Sequence, residues 1–149
     1  MRVSVKAIII RNNQLLTTRN RDAEGDFYLL PGGGQLPGEP LSDTLRRECR
    51  EEISTDVEVH ELVFVRDYIG QNHEFADKDR DVHQLELMFQ CSLPPGATPL
   101  TGAVPDTWQV GISWLELPRL ADYRVYPKAL QTLLRVPLFG RPVYLGDVN

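Results

Sequence analysis

Apolar and polar positions along the chain change period several times, and each change predicts an element. Val3 to Ile10 is β-branched and apolar, the pattern of a strand. Asn12-Asn13 is a turn signal, and Gln14 to Arg19 reads as the returning strand of a hairpin. Asn20 to Asp26 is polar and reads as a loop. Phe27 to Leu30 is a short apolar run that delivers the chain to Pro31-Gly32-Gly33-Gly34. Three consecutive glycines allow positive φ and close backbone approach, so no regular element is expected there. Pro37-Gly38 is a second turn signal, and Pro40 suits the first turn of a helix, where its missing N–H costs nothing. Leu41, Leu45, Cys49 and Ile53 then recur every four residues, which predicts a helix. At ~100° per residue, Glu48 and Glu52 fall at the edge of its apolar arc, with Glu51 further round.

Beyond the helix, Val57 to Ile69 alternates as a long strand, expected to be buried on much of both faces. The run from Gln71 to Asp81 is polar and turn-prone and reads as a mobile loop. Val82 to Cys91 is another strand. Gln84, Glu86, Met88 and Gln90 share one of its faces, which puts a charge, Glu86, inside a sheet. Leu93 to Thr107 is a proline- and glycine-containing connector. Trp108 to Leu115 is a strand in which Trp114 is expected to fill the core. Pro127 opens a second helix with Leu130, Leu133 and Leu134 on its packing face. The tail from Gly140 to Gly146 offers a short strand or a subunit contact, the latter consistent with a homodimer. Strands on either side of one helix, followed by a C-terminal helix, give an α/β fold: a mixed sheet sandwiched between helices.

A chain of 149 residues predicts one domain, 1–149, with a sizeable core. A net charge of −5 without any basic run argues against a nucleic-acid backbone binder. The two cysteines give no disulfide framework, and Cys49 on the apolar helix face reads as a core residue in a reducing compartment. The three histidines lack ligand spacing, which argues against zinc. The apolar run Ala7 to Ile10 is too short for a secretory signal and no stretch is long enough to span a membrane, so a cytoplasmic location is the default.

The chemistry concentrates on the first helix. Glu48 and Glu52 are like charges one turn apart, which costs roughly 0.2–0.5 kcal/mol. Half-burying them costs more unless something pairs with them. A divalent cation removes both objections, and carboxylates with water and substrate phosphate are what Mg²⁺ prefers. Upstream, Arg19 and Arg21 are candidates to reach substrate phosphates, and Phe27 or Tyr28 to stack on a base. Glu86 and the acids Glu74, Asp77, Asp79 and Asp81 are candidates for a further metal ligand or a base.

From Gly33 the chain reads GGQLPGEPLSDTLRRECREEIST. Gly33, five residues, Glu39, seven residues, Arg47-Glu48, Cys49, one free residue and Glu51-Glu52 resembles the Nudix box, the signature of the Nudix hydrolases. The family pattern ends on a glycine and an apolar residue where this chain has Ser54 and Thr55. Neither departure removes a ligand; they bear on the helix end, where a left-handed residue is preferred, and on packing behind it.

The resemblance implies a Mg²⁺-dependent (or Mn²⁺-dependent) pyrophosphohydrolase acting on a small-molecule nucleotide: a nucleoside triphosphate, or a nucleoside diphosphate linked to another group. It implies Glu48, Glu51 and Glu52 as metal ligands, with a carboxylate outside the box completing the shell, for which Glu86 and the loop acids are the candidates. Glu48 or Glu51 is the base that takes a proton from water, and Arg47 orients a catalytic carboxylate. Glu39 ties the loop or binds a water-bridged metal, and Gly32 and Gly33 shape the loop around the phosphates. The arginine spacing of coenzyme A-directed members fails after Arg19. Gln71 stands where ADP-ribose-type members often carry a proline, and the tyrosine of dinucleoside polyphosphate members is missing from that neighbourhood. Two other readings compete: a non-catalytic module that binds a nucleotide, which usually lacks the box carboxylates, and a diphosphate isomerase, which needs a cysteine in the pocket.

Overall fold

Asn12 and Asn13 both take left-handed backbone conformations, with φ of 52° and 60°, as a two-residue turn between twisted antiparallel strands requires. In the computed structural model, which describes residues 1–102, 104–135, 137 and 141–149, they join β1 (Arg2–Arg11) to β2 (Gln14–Asp22). The polar stretch expected to be a loop is instead a second hairpin, because β2 runs on to Asp22 and β3 is Gly25–Leu29. Arg21 lies directly across from Asp26 and pairs with it at 2.7 Å, so polar side chains satisfy one another on a paired strand.

The remaining elements are β4 (Gly32–Gly34), α1 (Leu41–Ile53), β5 (Glu58–Ile69), α2 (Ala76–Asp79), β6 (His83–Ser92), β7 (Gln109–Glu116), β8 (Val125–Tyr126), α3 (Leu130–Leu133) and β9 (Tyr144–Asp147). Among the described residues the strands form one curled mixed sheet in the order β8-β3-β2-β1-β6-β5-β9, with β4 added to β1 and β7 to β2. β1 meets β2 only near their shared turn, at Ile10–Leu15 and Arg11–Gln14. One half of the sheet is therefore β4, β1, β6, β5 and β9, and the other is β7, β2, β3 and β8.

Alternation along β1 assigns the layers. Val5, Ala7 and Ile9 pack with Leu45, Cys49 and Ile53 of α1 on one face. Ile8 packs with Met88, Phe64, Leu130 and Leu134 on the other. The sheet thus lies between α1 and the C-terminal helical turn, as the sequence pattern predicts.

Several local expectations need correction. The triple glycine does form a strand, pairing antiparallel with Ser4–Lys6 of β1. Glycine is needed there because a Cβ on Gly32, at φ 134°, would sit 2.1 Å from the Val5 carbonyl oxygen. Pro40 stands just outside α1 with an extended backbone. The first residues of β5 are largely exposed rather than buried on both faces. The Gln71–Asp81 run holds a 3-10 turn (Gly70–Asn72) and α2. Tyr68 donates to Asp79 at 2.7 Å, and the Phe75 ring packs on Tyr126 at 5.3 Å. In the tail, Tyr144–Asp147 adds a parallel strand to β5, while Gly140 lies outside the described residues. No described helix is long and apolar enough to cross a membrane.

Trp114 is only half-buried, packed on the α1 cluster with the Arg11 guanidinium 4.7 Å above its ring. Leu115, next in β7, points into the opposite core. Trp114→Ala is expected to lower stability by about 1–2 kcal/mol in urea unfolding, short of the ~2–5 kcal/mol expected for truncating fully buried Leu45. Ser54 ends α1 in the left-handed conformation, φ 55° and ψ 34°. Glycine has no steric penalty there, so Ser54→Gly should raise stability by about 0.5–1 kcal/mol in the same assay.

Candidate active site

The segment after β6 is tied to the end of α1 by main-chain bonds. Leu100 N–H donates to Ile53 O at 3.0 Å, Gly102 N–H to Glu52 O at 3.0 Å and Val104 N–H to Glu51 O at 3.3 Å. Gln109 Nε2 also donates to Glu52 O, at 2.9 Å. The last carbonyls of a helix lack partners of their own, and this chain supplies them from a distant segment. A Cβ on Gly102 would fall 1.8 Å from Glu51 O, so the approach requires glycine. The same end of the helix holds the glycine strand through its side chain: Gly32 N–H donates to Glu52 Oε2 at 2.9 Å.

α1 thereby presents Glu48, Glu51 and Glu52 to a cleft of about 700 Å³ that Gly32 and Gly33 also line. The Glu48 carboxyl carbon lies 2.7 Å from where a Gly33 Cβ would be, so the absence of a side chain makes room for that carboxylate. Glu52 is 6% exposed. Burial pushes its carboxyl up to about 7. Lys6 and the Gly32 N–H oppose the rise, and Glu48 and Asp106 add to it.

Arg47 holds the helix acids in place. It donates to Glu48 Oε1 at 2.9 Å, to Glu51 Oε2 at 3.4 Å and to the Gly34 carbonyl at 3.2 Å. It also grips Glu39 through Nε at 2.6 Å and Nη2 at 3.0 Å. The Arg47 bond holds the Glu39 carboxyl at about 2, well below the usual range. Both Glu39 oxygens are committed, since Leu36 N–H and Thr44 Oγ1 also donate to Oε2 at 3.1 and 2.9 Å. Glu39 ties the loop to the helix and does not line the cleft.

Arg19 and Arg21 do not enter the cleft either. Both pair with Asp26, at 3.7 and 2.7 Å. Alternation sends every second residue of β2 to the same face, and that face of the hairpin turns away from the cleft lining. The cations in the lining are Arg2, Lys6, Arg66 and Lys78. Lys6 Nζ donates to Gly32 O at 2.9 Å. The sequence signal for Arg2 and Lys6 is their shared face on an otherwise apolar strand.

Glu86 lines the cleft but is 3% exposed, with Arg66 Nε 2.9 Å and Gln84 Nε2 3.0 Å from its oxygens. Arg66 stands opposite Glu86 in the β5–β6 register, so the charge inside the sheet is answered across the ladder. Asp79 lines the cleft beneath Tyr68, whereas Glu74 pairs with Lys128 at 2.9 Å and neither Asp77 nor Asp81 is in the lining. Phe27 lines the cleft, but Tyr28 packs into the core beside Tyr123 at 5.6 Å. Among the described residues no three carboxylate, imidazole or thiol groups form a ready-made metal cage.

Comparison with known proteins identifies the arrangement. The NUDIX domain family matches residues 1–135. The nucleoside triphosphatase NudI of Enterobacter sp. (strain 638) is 30% identical over 95 residues, covering 60% of this chain and 67% of that protein. The crystal structure of a MutT NUDIX hydrolase from Burkholderia pseudomallei superposes with a TM-score of 0.61 at 25% identity, over 78% of this chain and 83% of that one. That of a NUDIX hydrolase from Nitrosomonas europaea gives a TM-score of 0.70 at 19% identity, over 98% and 77%, a likeness of fold.

Proposed function

Because this chain belongs to the NUDIX family, the family of Nudix pyrophosphohydrolases, we propose that it is a divalent-metal-dependent hydrolase of nucleoside triphosphates, built as a single domain over residues 1–149. The observation that carries this reading is one cleft lined by Glu48, Glu51 and Glu52 beside the cations Arg2, Lys6 and Arg66. The similarity to a nucleoside triphosphatase favours a triphosphate over the other nucleoside diphosphate derivatives.

The residues suit Mg²⁺, with Mn²⁺ as a substitute. All the donors are carboxylate oxygens, and Glu52 is a buried acid whose ionised form lacks a full ion-pair partner. Mg²⁺ takes one or two carboxylates and completes its shell with water and substrate phosphate, so an all-protein cage is not required. Glu48, Glu51 and Glu52 would hold the ion. When bound, it neutralises phosphate charge and lowers the pKa of an attacking water.

The chain's own side chains do the rest. Arg2 and Lys6 attract and orient the phosphate chain by charge, whereas Arg66 is committed to Glu86 and the Val148 carbonyl. Arg47 fixes the directions of Glu48 and Glu51, either of which would accept the proton of the water. The Gly32–Gly33 backbone leaves space for the phosphates beside the carboxylates. Glu86 belongs to the cleft wall through Arg66 rather than to the ligand set.

An isomerase would need a thiol in the cleft. Neither Cys49 nor Cys91 lines it; both are buried in the core behind α1. Burial pushes the Cys91 thiol up to about 12 and that of Cys49 well above its ordinary value.

The test is a hydrolysis panel in Mg²⁺ or Mn²⁺ with products identified. It covers nucleoside triphosphates, ADP-ribose, nucleotide sugars, dinucleoside polyphosphates and coenzyme A, with Glu52→Gln as control. The expected result is metal-dependent release of pyrophosphate from triphosphates, lost in the variant. Metal-dependent binding without turnover anywhere on the panel would replace the enzyme with a binding module.

A further inference from the structure

The two halves of the sheet give the cleft two chemically different walls. From the β1–β6–β5 half come Arg2, Lys6, Arg66 and Gln84; from the other half, and the chain entering it, come Phe27, Tyr126 and Trp108. The first wall has the charge to hold phosphates. The second has flat aromatic surface.

Within the second wall the rings are not equivalent. Tyr126 is 6% exposed and is contacted by Phe27 at 6.3 Å, Phe75 at 5.3 Å, Arg124 at 5.8 Å and Lys128 at 5.7 Å. Phe27 carries Arg124 over its ring at 5.2 Å. These rings are already used. Trp108 is 60% exposed, and among the described residues no ring or cation stacks on it. Its neighbours in the lining are Val104, Pro105 and Asp106, which offer apolar contact and a negative charge and so disfavour a phosphate at that lip.

The lip is also fixed in place. Trp108 O accepts from Arg21 N–H at 3.1 Å, and the preceding chain is bonded to the Glu51 and Glu52 carbonyls. The backbone that carries the open indole is therefore held at a constant position relative to the end of α1. A rigid aromatic face costs little entropy on binding, and stacking accepts any base because every base has a π-face.

We propose that Trp108 is the stacking platform for the nucleobase. The preferred substrates are then nucleoside polyphosphates, discriminated from polyphosphates that lack an aromatic base. This rests on the nucleotide-hydrolase reading above but concerns a different wall of the cleft. Because Trp108 is exposed, its replacement leaves the core untouched.

The test compares wild type, Trp108→Ala and Trp108→Phe with a nucleoside triphosphate as substrate and inorganic tripolyphosphate as competitor, in Mg²⁺. Trp108→Ala should raise KM for the nucleotide about tenfold and move kcat far less. Trp108→Phe should recover most of that loss. The inhibition constant of tripolyphosphate should be the same in all three. An unchanged nucleotide KM in Trp108→Ala, an equal loss of tripolyphosphate binding, or no recovery with phenylalanine would overturn the assignment. If wild type turns over no nucleotide, the hydrolase reading fails while the platform is still read by tryptophan fluorescence. Quenching by a nucleoside triphosphate, absent with tripolyphosphate and absent in Trp108→Phe, supports it; no quenching refutes it.

Discussion

Glu52→Gln should lower metal-dependent turnover by roughly 10²–10³-fold, the range found when a charge-stabilising group is removed from an active site, while making the metal-free fold more stable in mild alkali. The two effects share one cause. Glu52 is buried, and its carboxyl rises from an ordinary 4.5 to about 7 in the folded chain. A folded pKa above the unfolded one means that the folded state prefers the neutral acid. Its contribution is fully present below about pH 4.5 and is lost as pH rises through about 7. At pH 8 the folded protein without metal holds a buried carboxylate, at a cost on the order of 3 kcal/mol. Glutamine removes that charge and can still accept the Gly32 N–H. Calorimetry in a chelator should find the variant more stable than wild type at pH 8 and equal to it near pH 4. Mg²⁺ should then stabilise wild type more than the variant at pH 8. Full Mg²⁺-dependent activity in the variant would remove Glu52 from the ligand set; a less stable variant at pH 8 would show that Lys6 already compensates the charge. On the acid side the sign reverses. Asp22 and Glu39 are held at about 2 by Arg124 and Arg47, so their contributions are lost as pH falls towards 2.

Gly32→Ala is expected to destabilise the protein by about 3–5 kcal/mol, because the strain is in the backbone and nothing nearby can yield. The new Cβ would meet the Val5 carbonyl at 2.1 Å and the Lys6 Cα at 2.9 Å, at a φ of 134° that L-residues rarely adopt. Moving this strand also withdraws the N–H from Glu52. Gly33→Ala, one residue on, should behave differently. The atoms nearest its Cβ would be the end of the Glu48 side chain, at 2.7 Å, which can swing aside. Stability should fall by ~1 kcal/mol or less while turnover drops steeply, since the displaced group is a proposed ligand. Urea midpoints together with initial rates on the two variants separate these outcomes. Similar stability losses at both glycines would mean that the strand pairing, and not the carboxylate, sets the requirement for glycine at Gly33.

The local grammar of the chain was strong where chemistry repeats at short range. Asn12-Asn13 specified its hairpin, and the four-residue spacing of Leu41, Leu45, Cys49 and Ile53 specified the helix and its buried face. What sequence could not supply was cross-strand company. Arg19 and Arg21 read as available because Asn20 to Asp26 reads as a loop, whereas the β2–β3 ladder sets Asp26 directly across from Arg21. Glu86 looked like a spare ligand because Arg66 is twenty residues away in sequence and directly opposite in space. The glycine strand is not legible in sequence, because glycine carries no side-chain pattern by which pairing can be read. Trp114 is half-buried where alternation predicts the core, because alternation names a face and not how much covers it. The platform at Trp108 had no local signal, since its meaning comes from the opposite half of the sheet.

The segment that ties Leu100, Gly102 and Val104 to the end of α1 has a consequence for dynamics. Its amides are bonded to the carbonyls of Glu51, Glu52 and Ile53, so in hydrogen exchange they should open together with the last turn of the helix rather than as a frayed surface loop. Loosening this stretch and unwinding the glutamate-bearing turn are then one event. Substitutions in this irregular segment would reach the proposed metal ligands through the fraction of time the helix end is intact, and are expected to weaken Mg²⁺ affinity.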